Sequence, residues 1–171
     1  MNVSTIDYAA ETAPADFTTS LKRTGFAVLT NHPIDYTLIQ AVYTEWSLFF
    51  QSNQKNDYLF DLEKQDGYFP FGSENAKGSS IKDLKEFYHI YPWGRYPQQL
   101  SDNTWKLYRR LCQIAEELLD WVELNTPVEI AESFSMALSE MVQDSPRNLL
   151  RIIHYPSLSG DEEKGAVRAA P

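Results

Sequence analysis

Apolar positions recur every three to four residues in some stretches of this 171-residue chain and run compactly in others, and that pattern places its elements. In "PADFTTSLKRTG" Phe17 and Leu21 stand four apart before Gly25, which predicts a short helix closed by a left-handed glycine. "GFAVLTNH" gathers Phe26, Val28 and Leu29 between Gly25 and the Asn31-His32-Pro33 turn, and predicts a buried strand. After Asp35, a plausible N-cap, "YTLIQAVYTEWSLFF" sets Leu38, Ile39, Val42, Trp46, Phe49 and Phe50 at helical spacing, so a well-buried helix is expected.

From Gln51 to Gly94 the pattern dissolves. Glycines at 67, 72, 78 and 94 punctuate the stretch, and only "KEFYHIY" reads as a strand within a long loop. "TWKLYRRLCQIAEELLDWVELN" predicts the clearest helix, with Tyr108, Leu111, Cys112, Ala115, Leu118, Leu119 and Val122 on one face. Thr126 with Glu129, and Pro127 between them, match a capping box for a further helix whose stripe is Ile130, Phe134, Leu138 and Met141. "NLLRIIHYP" predicts a last strand, and the acidic Gly-containing run after it a solvated loop. With no repeat, low-complexity tract or Gly/Ser linker, the expectation is one continuous domain over residues 1–171.

Composition narrows the function classes. Hydrophobic residues at 43% and aromatics at 13% can offset the ordering entropy of the chain, so a folded domain is expected. A net charge of −9 disfavours docking on nucleic acid or anionic lipid. The single Cys112 allows no intrachain disulfide, the N-terminus has no secretory pattern, and no run reaches the ~20 apolar residues that span a bilayer. The cytoplasm is the expected compartment.

Candidate chemistry is sparse. His32, His89 and His154 are in no recognised ligand spacing. Glu86 and His89 form an E-x-x-H that would share one face of a helix, but the aromatic and β-branched neighbours favour a strand, which sends them to opposite faces. Cys112 lies on an apolar helical stripe, where cysteine behaves as a small hydrophobe. No G-x-S-x-G, Walker loop or dinucleotide fingerprint is present.

The order of four segments is more telling. "GFAVLTNHPI" resembles the "GFF-x-V-x-NHGI" opening of the isopenicillin N synthase-like 2-oxoglutarate/Fe(II) oxygenases, and "WSLFFQSNQKNDY" their "FF-x-LP-x-x-x-K" helix end. "GYFPFGSENAKGSSIKDLKEFYHI" is similar to their "GY-x-x-x-G-x-E…DWKE-x-F" stretch, and "NLLRIIHYP" to their "LR-x-x-x-YP" strand. Together they cover residues 25–156.

The resemblance implies an α+β fold: a helix-rich N-terminal region with a few strands, the front of a double-stranded β-helix (jelly-roll) oxygenase whose core is incomplete here. The family's His-x-Asp, distal His and Arg-x-Ser would all follow Pro171, so the 171-residue chain alone is expected to bind no metal and to be inactive. The parent would use Fe(II) and 2-oxoglutarate to hydroxylate or desaturate a small molecule. The alternative is a stand-alone binding or dimerisation module that lost the catalytic half, which would have a closed core, whereas the front of an enzyme would leave an exposed apolar face and a strand edge that invites self-association.

By the same resemblance Tyr155 corresponds to the tyrosine of "YP", which contacts 2-oxoglutarate or substrate carboxylate; as a phenol it can donate one hydrogen bond, or else simply fill the core. Ile153 stands where plant members often carry Asn, and Gln65 where isopenicillin N synthase has a carboxylate-gripping Arg, so the same tripeptide substrate is not implied. Tyr68, Phe69 and Phe87 would line the substrate side of the pocket.

Overall fold

The computed structural model of the chain describes residues 2–75 and 80–169; Gly78 and the terminal Ala170 and Pro171 lie outside them. In chain order the elements are β1 (Thr5–Asp7), α1 (Ala13–Thr24), β2 (Val28–Thr30), α2 (Tyr36–Gln51), β3 (Gly67–Phe69), β4 (Glu86–Ile90), α3 (Asn103–Leu124), α4 (Val128–Ala131) and β5 (Leu150–His154). Short 3-10 turns occupy Asn53–Tyr58 and Ser139–Met141. No helix among the described residues is long and apolar enough to cross a membrane.

The chain divides into two compact units, one of residues 1–39 and 105–145, the other of residues 40–104 and 146–171. In the first, β1 and β2 pair in parallel across α1, with Ile6 opposite Leu29. Gly25 ends α1 as the pattern predicts: it takes φ +77° and its N–H donates to the Leu21 carbonyl at 2.8 Å. Ile6, Ala13, Phe17 and Trp121 form the buried centre, where the Phe17 and Trp121 rings meet edge to face at 5.8 Å.

Three expectations change in this unit. The strand at residues 28–30 is not buried: Phe26 and Val28 are 66% and 49% exposed, because among the described residues β2 pairs only with β1. The buried line of α3 is Leu107, Ile114 and Trp121, rotated from the predicted stripe, and Leu111 is exposed. Docking the bulky Trp121 on Phe17 sets that rotation. The capping box at Thr126 does not form. The Thr126 hydroxyl donates back to the Val122 carbonyl at 2.7 Å and so finishes α3. The next helix lasts only four residues, and Ile130 and Met141 are exposed.

In the second unit, β3, β4 and β5 form an antiparallel sheet in that order, with Phe69 opposite Phe87 and Phe87 opposite Ile153. Its inner face carries Tyr68, Glu86, Tyr88, Ile90 and His154, and packs on the aromatic end of α2. Trp46 lies 5.1 Å from Tyr88, and Phe50 stacks on His154 at 5.2 Å. The buried Trp46 indole N–H donates to the Thr104 hydroxyl at 2.9 Å, so the largest side chain of this core leaves no unpaired donor.

Candidate active site: the outer face of the β3–β4–β5 sheet

Residues alternate across a strand, so neighbours in β4 serve different chemistry. On the inner side Glu86 is 3% exposed and accepts three donors: the Tyr68 hydroxyl, Lys55 Nζ at 2.9 Å, and His154 Nδ1 at 2.7 Å. Burial alone would raise the Glu86 carboxyl, but these bonds outweigh it and hold the group below the usual carboxylate range. Burial, and then the hydrogen bond to Glu86, push the Tyr68 phenol well above its ordinary value. This network ties β3, β4, β5 and the end of α2 together, since Lys55 also donates to the Phe50 carbonyl at 2.7 Å.

A second buried carboxylate fixes the approach to β3. Asp66 is fully buried and accepts the Arg95 backbone N–H at 2.5 Å and its guanidinium at 2.9 Å. Burial would raise the Asp66 carboxyl, and the Arg95 bonds keep it low instead. The guanidinium also reaches the Leu59 carbonyl at 2.9 Å, passing over Gly67, where a Cβ would lie 2.7 Å from Arg95 Nη2. This clamp presents Gln65, whose φ of +62° is unusual for a residue with a side chain.

The outer face holds Phe69, Phe87, His89, Arg151 and Ile153. Phe69 and Phe87 stack at 4.3 Å, and Phe60 adds a third ring 4.2 Å from Phe69. Arg151 lies across Phe87 at 4.6 Å and donates from Nε to His89 Nε2 at 2.9 Å. His89 Nδ1 stands 3.4 Å from the Gln65 carbonyl, so the tautomer with its proton on Nδ1 satisfies both contacts. Burial, and then the Arg151 charge, push the His89 imidazole down to about 4. It is therefore neutral near neutral pH, as an acceptor for Arg151 must be.

Of the residues picked from the sequence, Phe69, Phe87 and the Gln65 carbonyl converge on this face. Tyr155 follows one residue beyond β5 and is exposed. Tyr68 does not join them. It is buried on the opposite side, with its hydroxyl on Glu86. The Gln65 side chain turns away, donating to the Leu62 carbonyl at 2.5 Å. Glu86 and His89 lie on opposite faces, as strand geometry predicts. The His89–Arg151 pair was missed; the alternation in "RIIHY", which sets Arg151, Ile153 and Tyr155 on one side, was the available signal. No three His, Cys, Asp or Glu side chains converge as a metal site among the described residues.

The model of the family described as "non-haem dioxygenase in morphine synthesis N-terminal" matches residues 3–116, and the chain belongs to that family. A solved protein from Shewanella oneidensis, assigned as an oxygenase, is 48% identical with a TM-score of 0.87, covering 99% of this chain and 60% of its own. A Caulobacter crescentus protein assigned to the 2OG-Fe(II) oxygenases is 26% identical with a TM-score of 0.68, over 93% of this chain and 58% of its own. A Neurospora crassa protein solved with alpha-KG is 20% identical with a TM-score of 0.70, over 97% of this chain and 59% of its own, and shares the fold. No curated protein matches. The chain thus spans about three fifths of the length of these solved relatives, and it is homologous to the N-terminal part of 2OG-Fe(II) oxygenases.

Proposed function

We propose that this chain is the N-terminal part of a 2-oxoglutarate/Fe(II)-dependent oxidoreductase that hydroxylates or desaturates a small molecule. The observation that carries the reading is the outer sheet face, where Phe69, His89 and Arg151 lie beside exposed Ile153 and Tyr155 in a chain of this family. That face is one wall of the reaction chamber. Tyr155 offers its phenol to 2-oxoglutarate or to a substrate carboxylate.

The donor set of the described residues does not fit iron. His89 is engaged by Arg151, His154 by Glu86, and no third ligand-type side chain approaches either pair to complete a site. In this reading the oxidation chemistry belongs to the part of the enzyme that this chain, about three fifths the length of its solved relatives, does not span, and the chain alone would not catalyse it. In this reading its own residues bind and orient substrate and exclude water; none performs a redox step.

The alternative reading is a stand-alone binding or dimerisation module, in which a second copy would cover the outer edge of β5 that is unpaired among the described residues. One experiment separates the two. The protein is purified from its source cells, weighed intact, and assayed for succinate released from 2-oxoglutarate with Fe(II) and O₂. A mass well above 19.7 kDa with iron-dependent succinate release is expected. A 19.7 kDa product that releases none would overturn the oxygenase reading in favour of the module.

A further inference from the structure

Arg151 is an exposed guanidinium on a chain of net charge −9, yet no carboxylate pairs with it among the described residues. Its neighbours fix it rather than neutralise it. His89 takes the Nε proton at 2.9 Å and Phe87 supports the plane at 4.6 Å, so both contacts orient the group and leave its full charge. Only Nε is engaged among the described residues, and the two terminal nitrogens remain as a preformed fork for an anion.

The other cation on this face is already balanced. Lys85 lies 5.9 Å from the Phe87 ring centre, but its ammonium is 2.8 Å from Asp83 and 3.8 Å from Glu74. One uncompensated positive charge matches a monoanion better than a phosphate dianion. Beside it come Ile153 in β5 and, one residue past the strand, Tyr155, 41% and 40% exposed, an apolar side chain and a phenol next to the charged fork. Resting on the oxygenase reading above, we propose that the outer sheet face selects a carboxylate-bearing small-molecule substrate. Arg151 grips the carboxylate in two hydrogen bonds, and Ile153 takes the apolar body beside the Tyr155 phenol.

The test needs neither iron nor turnover. The 171-residue chain is titrated with 3-phenylpropanoate, with 3-phenylpropanamide, with inorganic phosphate and with 2-oxoglutarate, at constant ionic strength, while the Arg151 Nε–H resonance is followed. Saturable binding of the phenylpropanoate is expected, with the amide and phosphate each about tenfold weaker or more, the loss that follows when a charged hydrogen-bonded pair is not made. Arg151→Gln should weaken the phenylpropanoate by a similar factor, and Arg151→Lys should restore only part, since an ammonium lacks the fork. Equal binding of acid and amide, no binding of the acid, or an unchanged Arg151→Gln variant would overturn the proposal. Tighter binding of 2-oxoglutarate than of the phenylpropanoate would also overturn it, by making Arg151 a cosubstrate residue. The amide comparison uses the unaltered chain, so it stands even if a variant misfolds. The oxygenase reading is judged separately, by succinate release from the native protein.

Discussion

Glu86 and His89, three residues apart in β4, are aimed at opposite sides of the sheet: Glu86 takes Tyr68, Lys55 and His154 behind it, and His89 takes Arg151 in front. A single five-residue strand therefore carries both the polar anchor of the core and the positioning of the outer-face cation. The rear network centres on the buried Glu86 carboxylate, and the front pair is held by the Gln65 carbonyl on His89 and the Phe87 ring under Arg151.

Glu86→Ala should accordingly be among the most damaging single substitutions. It leaves three donors, one of them a lysine ammonium, facing an empty buried site, and breaking a buried charged cluster in this way costs about 3–5 kcal/mol. The expected result is a large drop in the urea midpoint at unchanged m-value. A loss below about 1 kcal/mol would mean that the cluster is solvated and does not hold the sheet.

Much of this arrangement was legible where one physical signal dominates. Gly25 after a helical pattern, Asp35 before one, and the alternation of β4 each fixed a local outcome that packing did not disturb. The Asp35 carboxylate accepts the Thr37 N–H at 2.8 Å, as an N-cap should. The sequence was silent or misleading where partners distant along the chain decide. Which face of α3 is buried depends on Trp121 meeting Phe17, 104 positions earlier. Thr126 had two backbone carbonyl and amide choices and took the one behind it. Tyr68 and Phe69 are adjacent letters with equal aromatic character, and only the register with β4 separates the tyrosine bonded to Glu86 from the ring stacked on Phe87.

Stability should fall on mild acidification, through His89. The folded imidazole sits at about 4 against an ordinary value of 6.5, so between those values the unfolded chain binds a proton that the folded chain refuses. The contribution is fully present above about pH 6.5 and is lost as pH falls toward about 4. Glu86 and Asp66 add to the loss lower down, because carboxyls held below their ordinary values stabilise only while they stay ionised. His89→Gln should flatten the upper part of the curve and keep the lower part. Urea midpoints of both proteins across this range decide it, and parallel curves would show that His89 titrates normally.

Gly67→Ala should be close to intolerable. The glycine sits at φ +102°, and an added Cβ would lie 2.5 Å from the Tyr58 carbonyl oxygen and 2.7 Å from Arg95 Nη2. Backbone strain adds to the displacement of the Asp66–Arg95 clamp, so a loss of about 3 kcal/mol or more is expected. The contrasting site is Gly160: its φ is +93°, but a Cβ there meets nothing within 4 Å. Gly160→Ala should therefore cost only the backbone term, about 1–2 kcal/mol. Thermal unfolding of the two variants side by side is the check, and equal losses would show that crowding at Gly67 is relieved by movement of Arg95.

The last prediction concerns association. β5 presents an unpaired outer edge among the described residues, and on or beside it Leu149, Ile153 and Leu158 are 39%, 41% and 47% exposed. Unpaired N–H and C=O groups flanked by apolar side chains template pairing with a second strand. The 171-residue chain should therefore self-associate as its concentration rises, with β5 amides exchanging more slowly in the associated form. Ile153→Lys, which sets a charge on the exposed face of that strand, should shift the population toward monomer without loss of the Glu86 network behind it. Sedimentation across a hundredfold concentration range measures both. A wild-type chain that stays a compact monomer throughout would show that the edge is already protected, and the variant would then have nothing to change.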